Sequence, residues 1–112
     1  MSRDPAQYLE DMVAAAEAIQ QFVSDVAFEA FAASLEKRSA VERQVFIIGE
    51  AAARLPEHLR RDDAPVPWRA VIGLRNLLAH GYWTIDGGEL WQVATVHVPK
   101  LATHVRTLLN EQ

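Results

Sequence analysis

The 112-residue chain contains no cysteine, which excludes disulfide bridges and cysteine-ligated zinc sites. It also lacks any apolar stretch close to the roughly 20 residues that are needed to span a bilayer. The opening residues, Met1 to Pro5, lack the apolar segment of a signal peptide. We therefore expect a cytoplasmic protein with no membrane partner. A Gly-rich phosphate loop and a serine–histidine–aspartate pattern are absent as well, which argues against those two kinds of site.

Positive charge is scarce too, since 11 Lys and Arg residues stand against 15 Asp and Glu residues and leave a formal net charge of −4. That balance argues against attraction to nucleic acid by bulk electrostatics. Five arginines nevertheless fall in one stretch and could form a local basic surface: Arg54, Arg60, Arg61, Arg69 and Arg75. Such a run is more often a solvated face, so it does not by itself indicate nucleic-acid binding.

Apolar residues make up 50% of the chain, and they recur at the three- and four-residue steps of amphipathic helices. Asp4 and Pro5 are suited to cap and begin the first helix. The stripes predict a helix up to Val23, a short helix or packed connection next, and a long helix ended by Pro56. Their members are Leu9, Met12, Ala16, Ile19 and Val23; Phe28, Phe31 and Leu35; and Val41, Val45, Ile48, Ala52 and Leu55.

The pattern in the second half of the chain predicts two more helices. We expect a loop over residues 60–67, followed by a third long helix that begins at Trp68 and ends at Gly81. A turn at residues 86–88 precedes a last helix, which Pro99 should kink or break in two. Because no segment has the pattern of a strand, we predict an all-α fold, a compact bundle of four to five helices that forms a single domain over residues 1–112.

The most informative segment is the run Arg75-Asn76-Leu77-Leu78-Ala79-His80-Gly81-Tyr82. An arginine is always charged and suits phosphate, and histidine exchanges a proton near neutral pH. Together they suit metal-free chemistry at a phosphodiester. The alternative is that the arginine is a solvated charge and the histidine a helix-terminal residue favoured by the macrodipole.

The spacing within this run poses a geometric question. On an unbroken helix Arg75 and His80 would point roughly 140° apart, whereas Asn76 and His80 share a face. Two arrangements bring the arginine and the histidine to one pocket. The helix loosens before Gly81, a plausible residue for the position that follows a helix, or the same helix of a second protomer completes the pocket.

Other polar residues carry weaker signals. Gly49 lies inside a helical stripe, where a close helix crossing would explain it. The adjacent Glu50 could pair with or orient Arg75, but we expect it to be solvated. His97 and His104 could share a helix face, but an intervening proline disturbs their register and we expect no metal site. The tryptophans are better explained by packing in the core or in an interface than by stacking on bases.

The spacing Arg75-x4-His80-x-Tyr82 resembles the R-x4-6-H-x-Y motif of HEPN domains. More specifically, the chain resembles the HepT-like toxins of HEPN/MNT toxin–antitoxin pairs. Residues 47–52 resemble that family's "iiGEA" helix, and residues 66–76 resemble its "iPW…i…mRN" approach to the motif. Residues 82–91 resemble the "Y…id…vW" segment that follows. The resemblance covers almost the whole chain in the right order.

This resemblance implies an all-α HEPN domain that forms a homodimer. It implies a metal-independent endoribonuclease that needs no cofactor, with Arg75 and His80 catalytic and Asn76 supporting them. It also implies an antitoxin partner with a minimal nucleotidyltransferase (MNT) fold. In characterised relatives that partner transfers AMP from ATP to the motif tyrosine, here Tyr82, and so silences the toxin.

The chemistry of RNA cleavage is compatible with these residues. A base must take the 2′-hydroxyl proton, an acid must protonate the leaving oxygen, and positive charge must stabilise the crowded phosphate. One His80 per chain is short of both proton roles, whereas a two-fold dimer would supply two histidines and two arginines. Two other classes remain open: a non-catalytic subunit that binds substrate or nucleotide for a nucleotidyltransferase, and a structural helical dimer with a decayed motif.

Overall fold

A computed structural model describes residues 3–112, and over that range the protein is helical with no strand. Its six helices are α1 Pro5–Val23, α2 Phe28–Ala33, α3 Leu35–Arg54, α4 Trp68–His80, α5 Gly87–Gln92 and α6 Val98–Asn110. Single 3₁₀ turns lie at Glu57–Leu59 and Tyr82–Thr84, and a π-helical segment, Val93–His97, joins α5 to α6. The last two helices thus form one rod, and the prediction of an all-α bundle of four to five helices is confirmed.

The first helix begins where its capping residues predict. The Asp4 carboxylate accepts from the Ala6 N–H at 2.9 Å, and the Gln7 side chain accepts from the Asp4 N–H at 3.1 Å. This reciprocal cap is worth about 1 kcal/mol. After Val23 the chain turns through Asp25, whose φ of 58° lies in the left-handed region that aspartate tolerates better than most residues.

Three long helices enclose the core. Helix α1 packs along both α3 and α6, and α4 packs on α3. Each fully buried aliphatic side chain contributes about 1.5–3 kcal/mol through removal of its surface from water. The largest fully buried side chains come from five elements of the chain: Leu9, Met12, Ile19, Phe31, Val41, Leu90 and Val105.

The predicted kink or break at Pro99 takes a milder form. The proline lies in the first turn of α6, and the backbone stays in the right-handed helical region at Gln92, His97 and Val98. The π-helical turn widens the rod just before the proline ring, which would otherwise clash with the carbonyl four residues earlier. The rod therefore continues through the proline instead of ending there.

Helix α4 lies at the edge of the bundle and packs chiefly on α3. Its bounds agree with the predicted third long helix, yet Trp68 is its only buried residue. The remaining large apolar side chains are half-buried: Val71, Ile72, Leu74, Leu77 and Leu78. An apolar groove of about 300 Å³ lies between α4 and α6, and Val45 and Ile48 of α3 line it as well. All of these large side chains except Leu77 pack against the core, so α4 is attached to the bundle along one side only.

A helix that crosses a membrane must be both long and apolar. None of the described helices of this chain meets both conditions.

Candidate active site

The crossing of α3 and α4 occurs at a glycine. A Cβ atom placed on Gly49 would lie 3.0 Å from the Arg75 Cγ and 3.2 Å from the Arg75 Cα, and closer still to its Cβ. These separations are shorter than ordinary van der Waals contact, so only glycine lets the two helices approach this closely. The predicted close crossing is confirmed, and its partner is the arginine of the motif.

Arg75 is held by the residue that follows this glycine. Its Nη1 donates to a carboxylate oxygen of Glu50 at 2.5 Å, across 25 positions of sequence. The two side chains are 26% and 36% exposed, so water partly screens the pair. The Arg75 Nε is buried and has no hydrogen-bond partner in the described part of the chain. The expectation of a solvated Glu50 is therefore wrong, because the carboxylate pairs with Arg75 across the helix crossing.

His80 is the last residue of α4 and is exposed. The helix stays regular up to it, because the Gly81 N–H donates to the Leu77 carbonyl at 2.7 Å in the ordinary α-helical pattern. The φ of Gly81 is −148°, outside the left-handed region. The helix therefore does not loosen, and Arg75 and His80 leave it roughly 140° apart. One chain does not bring them to a common pocket.

Asn76 and Tyr82 are also exposed. Asn76 lies one turn before His80 on the same face of α4. Tyr82 begins the 3₁₀ turn after the helix and is 60% exposed, and its ring makes an edge contact with Trp83 at 5.4 Å between centroids. The Thr84 hydroxyl donates to the Gly81 carbonyl at 2.8 Å and holds this turn. The tyrosine is therefore open to a modifying enzyme.

Trp83 lies outside the core, unlike the other two tryptophans, so core packing does not account for it and the expected interface packing stays a prediction. It is 71% exposed beside Tyr82. Trp68 is buried as expected, and Trp91 packs against Phe31 at 5.2 Å between ring centroids. This exposed tryptophan next to the motif is a feature of the site that the sequence analysis did not single out. The signal available for it was that Trp83 belongs to no apolar stripe of a predicted helix.

The arginine-rich stretch does not form a continuous basic surface. The Arg61 guanidinium donates to the Asp63 carboxylate at 2.8 and 3.0 Å and lowers the pKa of that carboxyl group. Three other arginines are also engaged: Arg69 with Asp62 at 3.5 Å, Arg60 with the Leu55 carbonyl at 3.0 Å, and Arg75 with Glu50. Most of the positive charge of the stretch is therefore compensated locally.

The two histidines of the last rod lie in different surroundings. His97 is exposed at the rim of the groove between α4 and α6. The ring of His104 lies 6.2 Å from the ring of Trp68. Among residues 3–112 no group of three or more His, Asp or Glu side chains is placed to hold a metal ion.

Comparison with known proteins identifies relatives of the whole chain. The model of the family described as "Ribonuclease HepT-like" matches residues 12–108. A protein of Thermococcus cleftensis named "Probable ribonuclease HepT" is 35% identical over 101 residues, which cover 90% of this chain and 92% of the relative. A "putative RNase" of Methanocaldococcus jannaschii is 35% identical over 103 residues, with 92% and 94% covered. Another, from Caldanaerobacter subterraneus, is 29% identical over 110 residues and 98% of each chain. No solved structure matches significantly.

Proposed function

Because the chain belongs to the family of HepT-like ribonucleases, we propose that it is a metal-independent endoribonuclease and the toxin of a toxin–antitoxin pair. The substrate is RNA, and the whole of residues 1–112 acts as one HEPN domain in the cytoplasm. The observation that carries the proposal is the open end of α4, where a half-buried Arg75 and an exposed His80 and Tyr82 lie within one short run.

The proposed reaction transfers a phosphoryl group of the RNA backbone from the 5′-oxygen of one nucleotide to the 2′-oxygen of the preceding one. One histidine takes the proton of the 2′-hydroxyl, whose oxygen attacks the adjacent phosphorus. The bond from phosphorus to the 5′-oxygen breaks, and a second group acts as the acid that donates a proton to the leaving 5′-oxygen. Arg75 stabilises the added negative charge on the phosphate. The products are a 2′,3′-cyclic phosphate and a 5′-hydroxyl, and no cofactor enters the balance.

The catalytic unit in this proposal is a homodimer. A regular α4 points Arg75 and His80 in different directions, so a second copy of α4 is the simplest source of the missing groups. The exposed parts of Leu77 and Leu78, together with the exposed Trp83, are the apolar surface that a partner helix would cover. A two-fold axis would place equivalent residues opposite each other and supply the second histidine. Asn76, on the face of His80, would support the substrate.

The proposed control is AMP transfer to Tyr82 by a cognate antitoxin with a minimal nucleotidyltransferase fold. The exposed ring after the helix end is accessible to such a partner. A bulky anion attached beside His80 would exclude RNA by volume and by like charge. The same surface would also suit a binding subunit of a nucleotidyltransferase complex without catalysis of its own.

The experiment that tests the proposal is expression of the chain alone and beside its neighbouring nucleotidyltransferase gene. We expect arrested growth and fragmented RNA with the chain alone, and recovery of both with the partner and ATP. The fragments should end in a cyclic phosphate. Normal growth and intact RNA in cells that accumulate the folded chain would contradict the toxin and favour the binding subunit.

A further inference from the structure

We propose that Glu50 is a positioning residue, which holds the Arg75 guanidinium in the orientation that binds the scissile phosphate. The proposal rests on the ribonuclease function proposed above and adds a residue from a second helix to it. Two neighbouring positions of α3 carry it. Gly49 contacts the stem of Arg75, and Glu50 contacts its charged end.

The stem of the arginine is confined first. Because Gly49 has no side chain, the Cβ and Cγ of Arg75 lie directly against α3. A long arginine side chain normally samples many rotamers on a helix surface, and holding it in one geometry costs side-chain entropy. Contact with α3 removes part of that freedom before any substrate binds.

The charged end is confined next, in a way that leaves donors free. A guanidinium has five N–H groups in a planar fork. The bond to Glu50 uses one N–H of Nη1, and the Nε is buried. Both N–H groups of Nη2 and the second of Nη1 remain for a phosphate. The hydrogen bond to the Glu50 carboxylate thus orients the planar guanidinium while these other N–H groups stay available.

The partial exposure of the Glu50–Arg75 ion pair indicates that it orients the guanidinium more than it stabilises the fold. Glu50 is 36% exposed, and ion pairs open to water contribute little to folding. A displacement of about 1 Å at a reacting centre, by contrast, can slow a reaction about 10²-fold. We therefore expect replacement of Glu50 to change the turnover rate far more than the melting temperature.

Two variants separate positioning from other roles of a carboxylate. Glu50→Gln keeps an oxygen that accepts from Arg75 but cannot take a proton, whereas Glu50→Ala removes the acceptor. Positioning predicts that the glutamine variant keeps kcat within about tenfold of the parent and that the alanine variant loses about 10²-fold, with a much smaller change in KM. Glu36→Ala, at an exposed glutamate of the same helix, is the matched control and should behave as the parent.

A second measurement does not depend on cleavage. In ¹⁵N NMR spectra of the arginine side chains, assigned with Arg75→Lys, the parent should show separate Nη signals because the bond to Glu50 slows guanidinium rotation. Glu50→Ala should merge them, and Glu50→Gln should keep them apart. Thermal unfolding of each variant establishes that it is folded.

The outcomes are distinct. An alanine variant with parent kcat and unmerged signals overturns the proposal, and so does a glutamine variant as slow as the alanine variant, which would make Glu50 a proton-transfer group. A variant that binds RNA more tightly and cuts it faster than the parent would make the carboxylate a competitor for Arg75 and also overturn it. If the parent cuts no RNA while its signals respond as expected, the ribonuclease function fails and the hold of Glu50 on Arg75 is still supported.

Discussion

Arg75 and His80 differ in how firmly the protein holds them. The arginine lies against α3 and pairs with Glu50, whereas the histidine ends α4 in an exposed position. Removal of the exposed histidine should therefore affect chemistry without affecting the fold. At the arginine the same change also leaves the Glu50 carboxylate without its partner, so the histidine gives the cleaner test of the mechanism.

We predict that His80→Ala lowers the rate of RNA cleavage about 10²- to 10⁴-fold, because it removes a proton-transfer group. The melting temperature should stay close to that of the parent. The measurement is cleavage of a defined RNA by nuclease-free preparations with and without EDTA, which should leave the parent rate unchanged. His97→Ala, which replaces an exposed histidine elsewhere, serves as the control. Cleavage by the His80→Ala protein at the parent rate would reject the mechanism.

Tyr82 combines an exposed ring with a position directly after the end of α4. We predict that Tyr82→Phe keeps appreciable nuclease activity but escapes the antitoxin, because phenylalanine lacks the oxygen that accepts AMP. Intact mass spectrometry after incubation with the partner and ATP measures the transfer. Tyr8→Phe, which changes the other tyrosine of the chain, should be modified like the parent. Equal addition of AMP to the Tyr82→Phe protein would place the acceptor elsewhere.

At the scale of the helices, two glycines in helix interiors occupy opposite environments. Gly49 lies where α3 and α4 touch, and its Cβ would overlap the Arg75 stem and backbone. Gly73 is exposed on α4, and nothing lies within 4 Å of where its Cβ would be. The same substitution should therefore have opposite effects at the two positions.

We predict that Gly49→Ala lowers the free energy of unfolding by about 1–3 kcal/mol, because overpacking forces α4 away from α3. Gly73→Ala should raise it by about 0.4–1 kcal/mol, because alanine restricts the unfolded chain and favours the helix. Urea unfolding of the two proteins measures both effects. A Gly49→Ala protein as stable as Gly73→Ala would mean that the helices do not cross at this distance.

At the scale of the whole molecule, the bundle is unevenly packed. Helices α1, α3 and α6 surround the core, whereas α4 packs chiefly on α3 and has Trp68 as its single buried residue within residues 3–112. The residues proposed for catalysis lie at the far end of α4 and just after it, where Leu77 is half-buried and Trp83 is exposed. A two-fold dimer formed at this end would cover these apolar side chains and bring two copies of the motif together.

We predict that a mixed dimer of one parent chain and one His80→Ala chain has far less than half of the parent activity, because a shared cleft needs both histidines. Differently tagged chains allow its purification, and a mixed-tag dimer of two parent chains controls for the tags. Retention of about half of the activity would show that each chain carries its own site. The two-histidine mechanism would then be wrong even if the nuclease assignment holds.

The helices and the position of the motif follow from local signals in the amino-acid sequence. Helical hydrogen bonds join residues four apart, so apolar stripes, the Asp4 cap and the stops at Pro56 and Gly81 are local signals, and the structure confirms the helices that they predict. At Pro99 the sequence left a kink and a break as alternatives, and the break is wrong because a π-helical turn keeps the last rod continuous.

Which side chains meet depends on how the helices pack in three dimensions. The pairing of Glu50 with Arg75 joins positions 25 apart, and from the sequence we expected Glu50 to be solvated. The contact at Gly49 was expected as a helix crossing, but its partner depended on the register of α4 along α3. The compensation of Arg61 and Arg69 by aspartates of the loop likewise depends on loop geometry. Such contacts depend on which helix surfaces pack together, and the spacing of residues along one helix does not specify that packing.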